Sequence, residues 1–584
     1  MKELFTLNRL IFRYKWLIFW GSLFIIAANL VSVYSVRFVG KAINYIDETL
    51  ASSSSAADFK QLLFYGFLII ALPIVSGILT FFQRQTIIVA SRHIEFDLKN
   101  EIFQHYQELD TAFYKKNRIG DLMNRISEDV GYVRMYLGPG IMYPINLISL
   151  SIILVIEMIL IDKSLTFYTL APLPVLSILI YFISRHINIK SREVQEEQSN
   201  LSSYVQDIFS GIRVIKSFNR ENRIKRSYAG LALDYKKKSI SLANIQAFFF
   251  PLMLLVIGIS QILILYAGGT EYIQGEITEI GTVAQFFMYL NMLIWPFASL
   301  GWISMVVQRA EASMKRINEF LQVGPSVYNM SRDRFEIKGK IEFDNVSFTY
   351  ENTGITALKN LSFVLPQGQT LAVLGKTGSG KTTLAELVIR LYDPSQGEIR
   401  LDDTALKNIN LNDLRSQIGF VPQEAFLFSD TLEENIAFAL DHAEPEKTQE
   451  FAKKADVHHN IIDFKEGYQT KVGERGVTLS GGQKQRISIA RALIKNPKIL
   501  IFDDSLSAVD TETEENILQN IREASAQKTT IIITHRISSA KHADKIIMLH
   551  EGQIIQKGTH QSLLAVEGAY RDLYEIQLNE EIKD

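Results

Sequence analysis

LAVLGKTGSGKTT, residues 371–383, decides how the chain is read. Leu371–Leu374 are the apolar run of a short buried strand. The chain then turns through Gly375 to Gly380 and enters a helix at Lys381-Thr382-Thr383. The spacing is G-x-x-x-x-G-K-[ST], with Gly375, Gly380, Lys381 and Thr382 in the defining places. Glycines let backbone N–H groups converge on phosphate oxygens with no Cβ in the way. Lys376, Thr377, Gly378 and Ser379 complete that cradle, and the helix N-terminus adds partial positive charge. Lys381 would reach the β- and γ-phosphates, and the Thr382 hydroxyl would hold Mg²⁺.

Working outward, ILIFDD at 499–504 is an apolar run ending in two carboxylates, and Asp503 fits the acid that orders Mg²⁺. Gln423, in VPQEAF, offers a side-chain oxygen to Mg²⁺ or to water. His535 ends the buried-strand pattern TTIIITH, and Tyr350 ends the strand that opens at IEFDNVSFTY. Each of these three is unremarkable when read alone. LSGGQKQR at 479–486 is more telling: Ser480, Gly481, Gly482 and Gln483 open a second phosphate-seeking helix, about a hundred residues from the first. Two such helices from one compact domain imply that a second copy or a partner completes each site.

The chain has 584 residues, too many for one domain. A net charge of -2 gives no basic excess for nucleic acid, and the absence of cysteine excludes disulfides and thiolate metal sites. A mean hydropathy of +0.08 points to membrane spans. Six uncharged windows, 16–36, 61–83, 135–156, 164–184, 239–270 and 280–308, are each long enough to cross a bilayer, which takes about 20 residues. The first is too long for a signal h-region and lacks a small-residue cleavage site. Prolines 73, 172, 174, 251 and 296 within the windows are tolerated in a packed membrane bundle. Lys2, Arg9, Arg13 and Lys15, with the basic segments after spans two and four, place both termini in the cytoplasm; the loop at 271–279 carries Glu271, Glu276 and Glu279 and no basic residue.

The segments after spans two and four are too long for ordinary connections and read as helical extensions below the membrane. Their tips fall in FYKKNRIGDLMNRISEDV and SGIRVIKSFNRE. Glu157 interrupts span three one turn from Asp162, as an interface carboxylate or a transport residue. Asn29, Gln285 and Asn291 are candidates for lining a cavity or for interhelical hydrogen bonds. Composition shifts after Arg309, so the domains are a helical membrane domain at 1–310, a linker at 311–340 and an α/β domain at 341–576.

Taken together, these motifs resemble those of the ATP-binding-cassette (ABC) exporters, as half-transporters of the bacterial multidrug and lipid type. The resemblance covers nearly all of residues 10–580. It rests on the phosphate loop, Gln423, LSGGQ, Asp503, the SAVD stretch ending at Asp510 and His535, in that order. It implies an all-α six-span transmembrane domain of the type I exporter class, fused to an α/β P-loop nucleotide domain. It also implies ATP and Mg²⁺ as cofactors, ATP hydrolysis driving export of an amphipathic or lipophilic substrate, a second half-transporter as partner, and the cytoplasmic membrane as location. Tyr350 would stack on adenine, Gln423 and His535 would contact the γ-phosphate, GERG at 473–476 would touch the intracellular helices, and the tips near 109–118 and 206–216 would be coupling helices.

One position departs from the family. Glu usually follows the metal-ordering Asp, and here it is Asp504. The shorter side chain sets its carboxylate back by roughly 1.5 Å from the attacking water. The expectation is a site that binds ATP and hydrolyses it slowly, beside an intact signature serving a heterodimeric partner. The alternatives are a homodimeric lipid exporter or a nucleotide-gated membrane protein that transports nothing.

Overall fold

The computed structural model of the chain describes residues 2–51, 59–275, 277, 279–473, 479–505, 517, 519–520 and 528–581. It divides into two units. One holds residues 1–107 and 120–323, and the other holds residues 108–119 and 324–584.

The first unit is helical. Long helices run over Lys15–Ala51, Phe59–Glu108, Pro139–Ile161, Pro172–Ser210, Glu221–Ile273 and Ile280–Leu321. Among the described residues, five stretches are long and apolar enough to cross a membrane. The window 164–184 is split between the helix Lys163–Leu170 and the helix starting at Pro172. Proline at a first helical position has no N–H to give to the preceding turn, so a break there costs no backbone bond. The helices turn large apolar side chains outward: Phe59, Leu63, Phe67 and Ile70 on one helix are each about two-thirds or more exposed. In water that would be a large penalty; in lipid it is the expected face.

Inside the unit, Leu154, Met158, Leu165, Ile264, Phe286 and Leu290 form a packed core. A Cβ at Gly281 would collide with the Gly40 carbonyl oxygen, so glycine lets these two helices approach closely. Polar groups are tied across helices. Asn29 donates to Ser149 Oγ at 2.8 Å, Asn44 accepts from the Gly281 N–H at 2.6 Å, and Arg37 donates to Glu157. Asn291 instead donates to Phe287 O of its own helix, at 3.0 Å. A single π-helical turn at Arg125–Asp129 carries the buried Asp129, which accepts a two-pronged bond from Arg316. Such turns are frequent at functional sites.

The last long helix runs through Leu321, into the stretch read as a linker. Ala310, Met314, Ile317 and Phe320 recur on one buried face, which charge counting along the sequence conceals. The second tip also differs in detail: the helix Pro172–Ser210 continues past residue 206, and a short helix then occupies Ile212–Ser217.

The second unit is α/β. Its strands are β1 (Ile341–Thr349), β2 (Thr356–Leu365), β3 (Thr370–Gly375), β4 (Gln396–Leu401), β5 (Thr404–Ala405), β6 (Ile418–Val421), β7 (Ile499–Asp503), β8 (Thr529–Thr534), β9 (Lys545–His550) and β10 (Gln553–Gly558). A four-stranded antiparallel sheet has the order β2-β1-β4-β5, and a six-stranded sheet has the order β10-β9-β3-β8-β7-β6. In the larger sheet β3 pairs in parallel with both β8 and β9, and β8 pairs in parallel with β7. Leu371, Val373, Ile501, Ile531, Ile533 and Ile547 are buried between layers, as the unbroken apolar runs of a parallel sheet require. The carboxyl ends of β3, β7 and β8 therefore emerge along one edge, the place where open α/β sheets bind ligands.

The short helix Thr111–Lys116 belongs to this second unit. Asp110 caps it, accepting from Phe113 N at 3.1 Å, and its other oxygen accepts from the Ser326 hydroxyl at 2.6 Å. Ala112 packs against the β-sheet core.

Candidate functional site

At the end of β3 the chain makes the loop that the glycine spacing predicts. Gly378 and Gly380 have φ of 80° and 98°, which an L side chain rarely adopts, and a Cβ at Gly380 would also collide with the Ala357 carbonyl. The helix Lys381–Val388 starts immediately after. Lys381 folds its ammonium over the loop, donating to Gly375 O at 2.7 Å and Lys376 O at 3.0 Å. Burial lowers its pKa, with Asp504 and Asp503 acting in the opposite sense. The loop opens into a cavity of about 480 Å³ whose lining includes Tyr350, Thr382, Gln423, Asp503, Asp504 and His535. Residues far apart in sequence are thus brought together, Gln423, Asp503, Asp504 and His535 by the ends of parallel strands.

Asp503, at the end of β7, is 1% exposed. Burial pushes its carboxyl up to about 6; the Thr382 bond opposes this, Asp504 and Glu386 add to it, and Lys381 offsets part. Its Oδ1 is buried with no hydrogen-bond partner. A buried acceptor beside a threonine hydroxyl, facing a phosphate loop, suits an oxygen-loving cation. Among the described residues no cluster of three or more His, Cys, Asp or Glu could hold a metal alone, so phosphate oxygens would complete such a site.

Asp504 lies one residue beyond the strand at φ 47°, a left-handed position that aspartate tolerates better than most residues. Its N–H is held by Ile533 O at 2.8 Å. One carboxylate oxygen lies 2.9 Å from His535 Nδ1, and the other accepts from Gln423 Nε2 at 3.3 Å. Asp504 therefore touches both His535 and Gln423. Tyr350 also reaches the site, but its hydroxyl is engaged with Thr383 Oγ1 at 2.9 Å and Glu386 Oε2 at 3.1 Å.

The second phosphate-seeking helix, Gly481–Ile494, begins with a complete capping box. Ser480 Oγ accepts from Gln483 N, and Gln483 Oε1 accepts from Ser480 N at 3.0 Å. Asp510, and Glu474 to Gly476 of the GERG stretch, lie outside the described residues.

Three supports were not singled out in the sequence. Gln577, on the helix Ala569–Glu581, donates to His535 O at 2.7 Å and accepts from Ile537 N, bracing the histidine. Arg491 ties its helix to the segment after Gln423 through Phe426 O and Asn435 O; burial takes its pKa down to about 10. Lys115 pairs with Glu386 at 3.0 Å. Such partners are set by tertiary packing and leave no local pattern, although Arg491 lies on the LSGGQ helix and Lys115 within the first tip.

Over 555 residues, 95% of this chain and 94% of the relative, the sequence is 37% identical to the probable multidrug resistance ABC transporter ATP-binding/permease protein YheI of Bacillus subtilis. The chain belongs to the ABC transporter family. Family models agree: the ABC transporter transmembrane region matches residues 18–297, and the ABC transporter model matches residues 358–507. The multidrug resistance-like ATP-binding protein MdlA of Escherichia coli is 37% identical over 88% of each chain. Among solved structures, a bacterial Atm1-family ABC exporter with ATP bound superposes with a TM-score of 0.78, covering 98% of both chains at 25% identity. This ABC transporter thus has the type I exporter fold, a helical membrane domain fused to an ATPase domain, as the motifs led one to expect. It is a membrane-embedded, multi-pass half-transporter that couples ATP hydrolysis to transport.

Proposed function

We propose that this ABC transporter exports amphipathic or lipophilic compounds across the cytoplasmic membrane as one half of a heterodimer, with six spans, both termini in the cytoplasm and a slow ATP site on this chain. The relatives named for multidrug resistance support the cargo class. Mg²⁺ would be held by the Thr382 hydroxyl and, through its water shell, by Asp503, with Gln423 offering its side-chain oxygen to Mg²⁺ or to water, and it would neutralise charge developing on the phosphates. Lys381 and the loop N–H groups would grip the β- and γ-phosphates, and Tyr350 would carry the adenine. Ser480 and Gly481 to Gln483 would grip the ATP of the partner.

Asp504 carries the slow-site reading. Its short carboxylate is held by His535 at 2.9 Å and Gln423 at 3.3 Å, one methylene short of a glutamate's reach. A positioned general base contributes about 10²–10⁴ in rate, and small misplacement forfeits much of it. Closure around ATP would still shift the membrane domain, because nucleotide that binds the closed pair better than the open pair moves that equilibrium without being cleaved. The test is ATPase activity of the purified chain in nanodiscs, alone and as Asp504→Glu. Slow turnover that the substitution raises supports the reading. Fast, drug-stimulated turnover by the unaltered chain alone overturns the heterodimer. Uptake into inverted vesicles with ATP, and not with a non-hydrolysable analogue, tests export itself.

A further inference from the structure

The helix Thr111–Lys116 brings a charge into the nucleotide unit. Lys115 Nζ lies 3.0 Å from Glu386 Oε1, and 5.2 Å and 5.6 Å from the ring centroids of Tyr392 and Tyr350. Burial opposes its charge, but contacts with Tyr392 and Glu386 hold the ammonium above its usual range. Glu386 stands on the helix that follows the phosphate loop and is 9% exposed. Its second oxygen accepts from the Tyr350 hydroxyl, which also meets Thr383. The charge of Glu386 is felt at Asp503. One buried carboxylate thus lies between the base end and the metal end of the cavity, and its cation comes from a helix embedded in the membrane-spanning part of the sequence.

We propose that Lys115 is a positioning residue for nucleotide: by neutralising Glu386 it fixes Tyr350 as the base platform and spares the phosphate end a bare negative charge. Nucleotide affinity and the seating of the helix Thr111–Lys116 are then linked, and linkage is reciprocal. Bound nucleotide holds that helix in place, and a displaced helix releases nucleotide. The proposal rests on Tyr350 being the base platform.

The test uses the full chain in nanodiscs, with equilibrium binding of MgATP and of magnesium tripolyphosphate, which has no base. Lys115→Met keeps the stem and removes the charge. It should weaken MgATP binding by about 5–10-fold, at the low end of typical coupling because the lysine is nearly half exposed. Lys115→Arg should stay close to the parent. The double variant Lys115→Met/Glu386→Gln should return to within about twofold of the parent, because no bare carboxylate remains. An unchanged Lys115→Met, or a double variant as weak as the single one, overturns the proposal; the second result would reduce Lys115 to a packing role. Tyr350→Ala tests the underlying reading separately. It should lose MgATP affinity and keep that for tripolyphosphate; equal loss of both removes the base platform whatever the lysine does.

Discussion

The two units of this transporter make opposite use of apolar side chains. In the nucleotide unit, Leu371, Val373, Ile501, Phe502 and Ile531 are all at or below about 1% exposure. In the membrane unit, Phe59, Leu63 and Phe67 on a single helix are two-thirds exposed or more. The first arrangement is held together by exclusion of water, so every core methylene counts. The second has lipid on its outer face, where a methylene gains little by being buried in protein. Specificity there comes from close backbone approach, as at Gly40 and Gly281, and from tied polar groups such as Asn44 with the Gly281 N–H.

That contrast can be broken by matched truncations. Phe502→Ala should destabilise the nucleotide unit by about 3–5 kcal/mol, read as a lowered first transition in thermal unfolding of the chain in nanodiscs. Lys381→Ala should cut ATP turnover by about 10²–10³-fold, because a preorganised charge facing the phosphates is lost, while the membrane helices are unaffected by circular dichroism. Asp504→Glu should raise turnover by about tenfold or more if reach is the only fault; no change would locate the defect elsewhere in the site. Ile70→Ala, on an outward face, should change stability by no more than about 0.5 kcal/mol in lipid. If Ile70→Ala were as costly as Phe502→Ala, the outward face would be a protein interface and the comparison would fail.

The same contrast explains what could be read from sequence. Phosphate chemistry demands particular residues at fixed spacing, so the loop at 375–382, Asp503 and the LSGGQ helix could be named outright, and the parallel strands bring the first two to one edge of the sheet. Gln423, Asp504 and His535 were legible as a set only through family resemblance; nothing local says that the strand ends would bring Asp504 within 3.3 Å of both the others. Membrane helices answer only to length and hydropathy. Their windows were visible, but the break before Pro172, the π turn at Arg125–Asp129 and the Arg37–Glu157 pair depend on packing. Glu157, read as an interface or transport carboxylate, is tied to a neighbouring helix, a partner its own sequence surroundings do not indicate. The helical start of the linker was hidden because its charged residues alternate with the buried Met314, Ile317 and Phe320.

Residues 108–119 fold with a unit whose remaining sequence begins more than two hundred positions later. No single cut in the gene separates the two units cleanly. A chimera that exchanges ATPase domains at a junction near residue 324 would leave the native Lys115 facing a foreign helix in place of Glu386, and Asp110 without Ser326. Such exchanges should succeed only when the twelve-residue insert travels with the domain it completes.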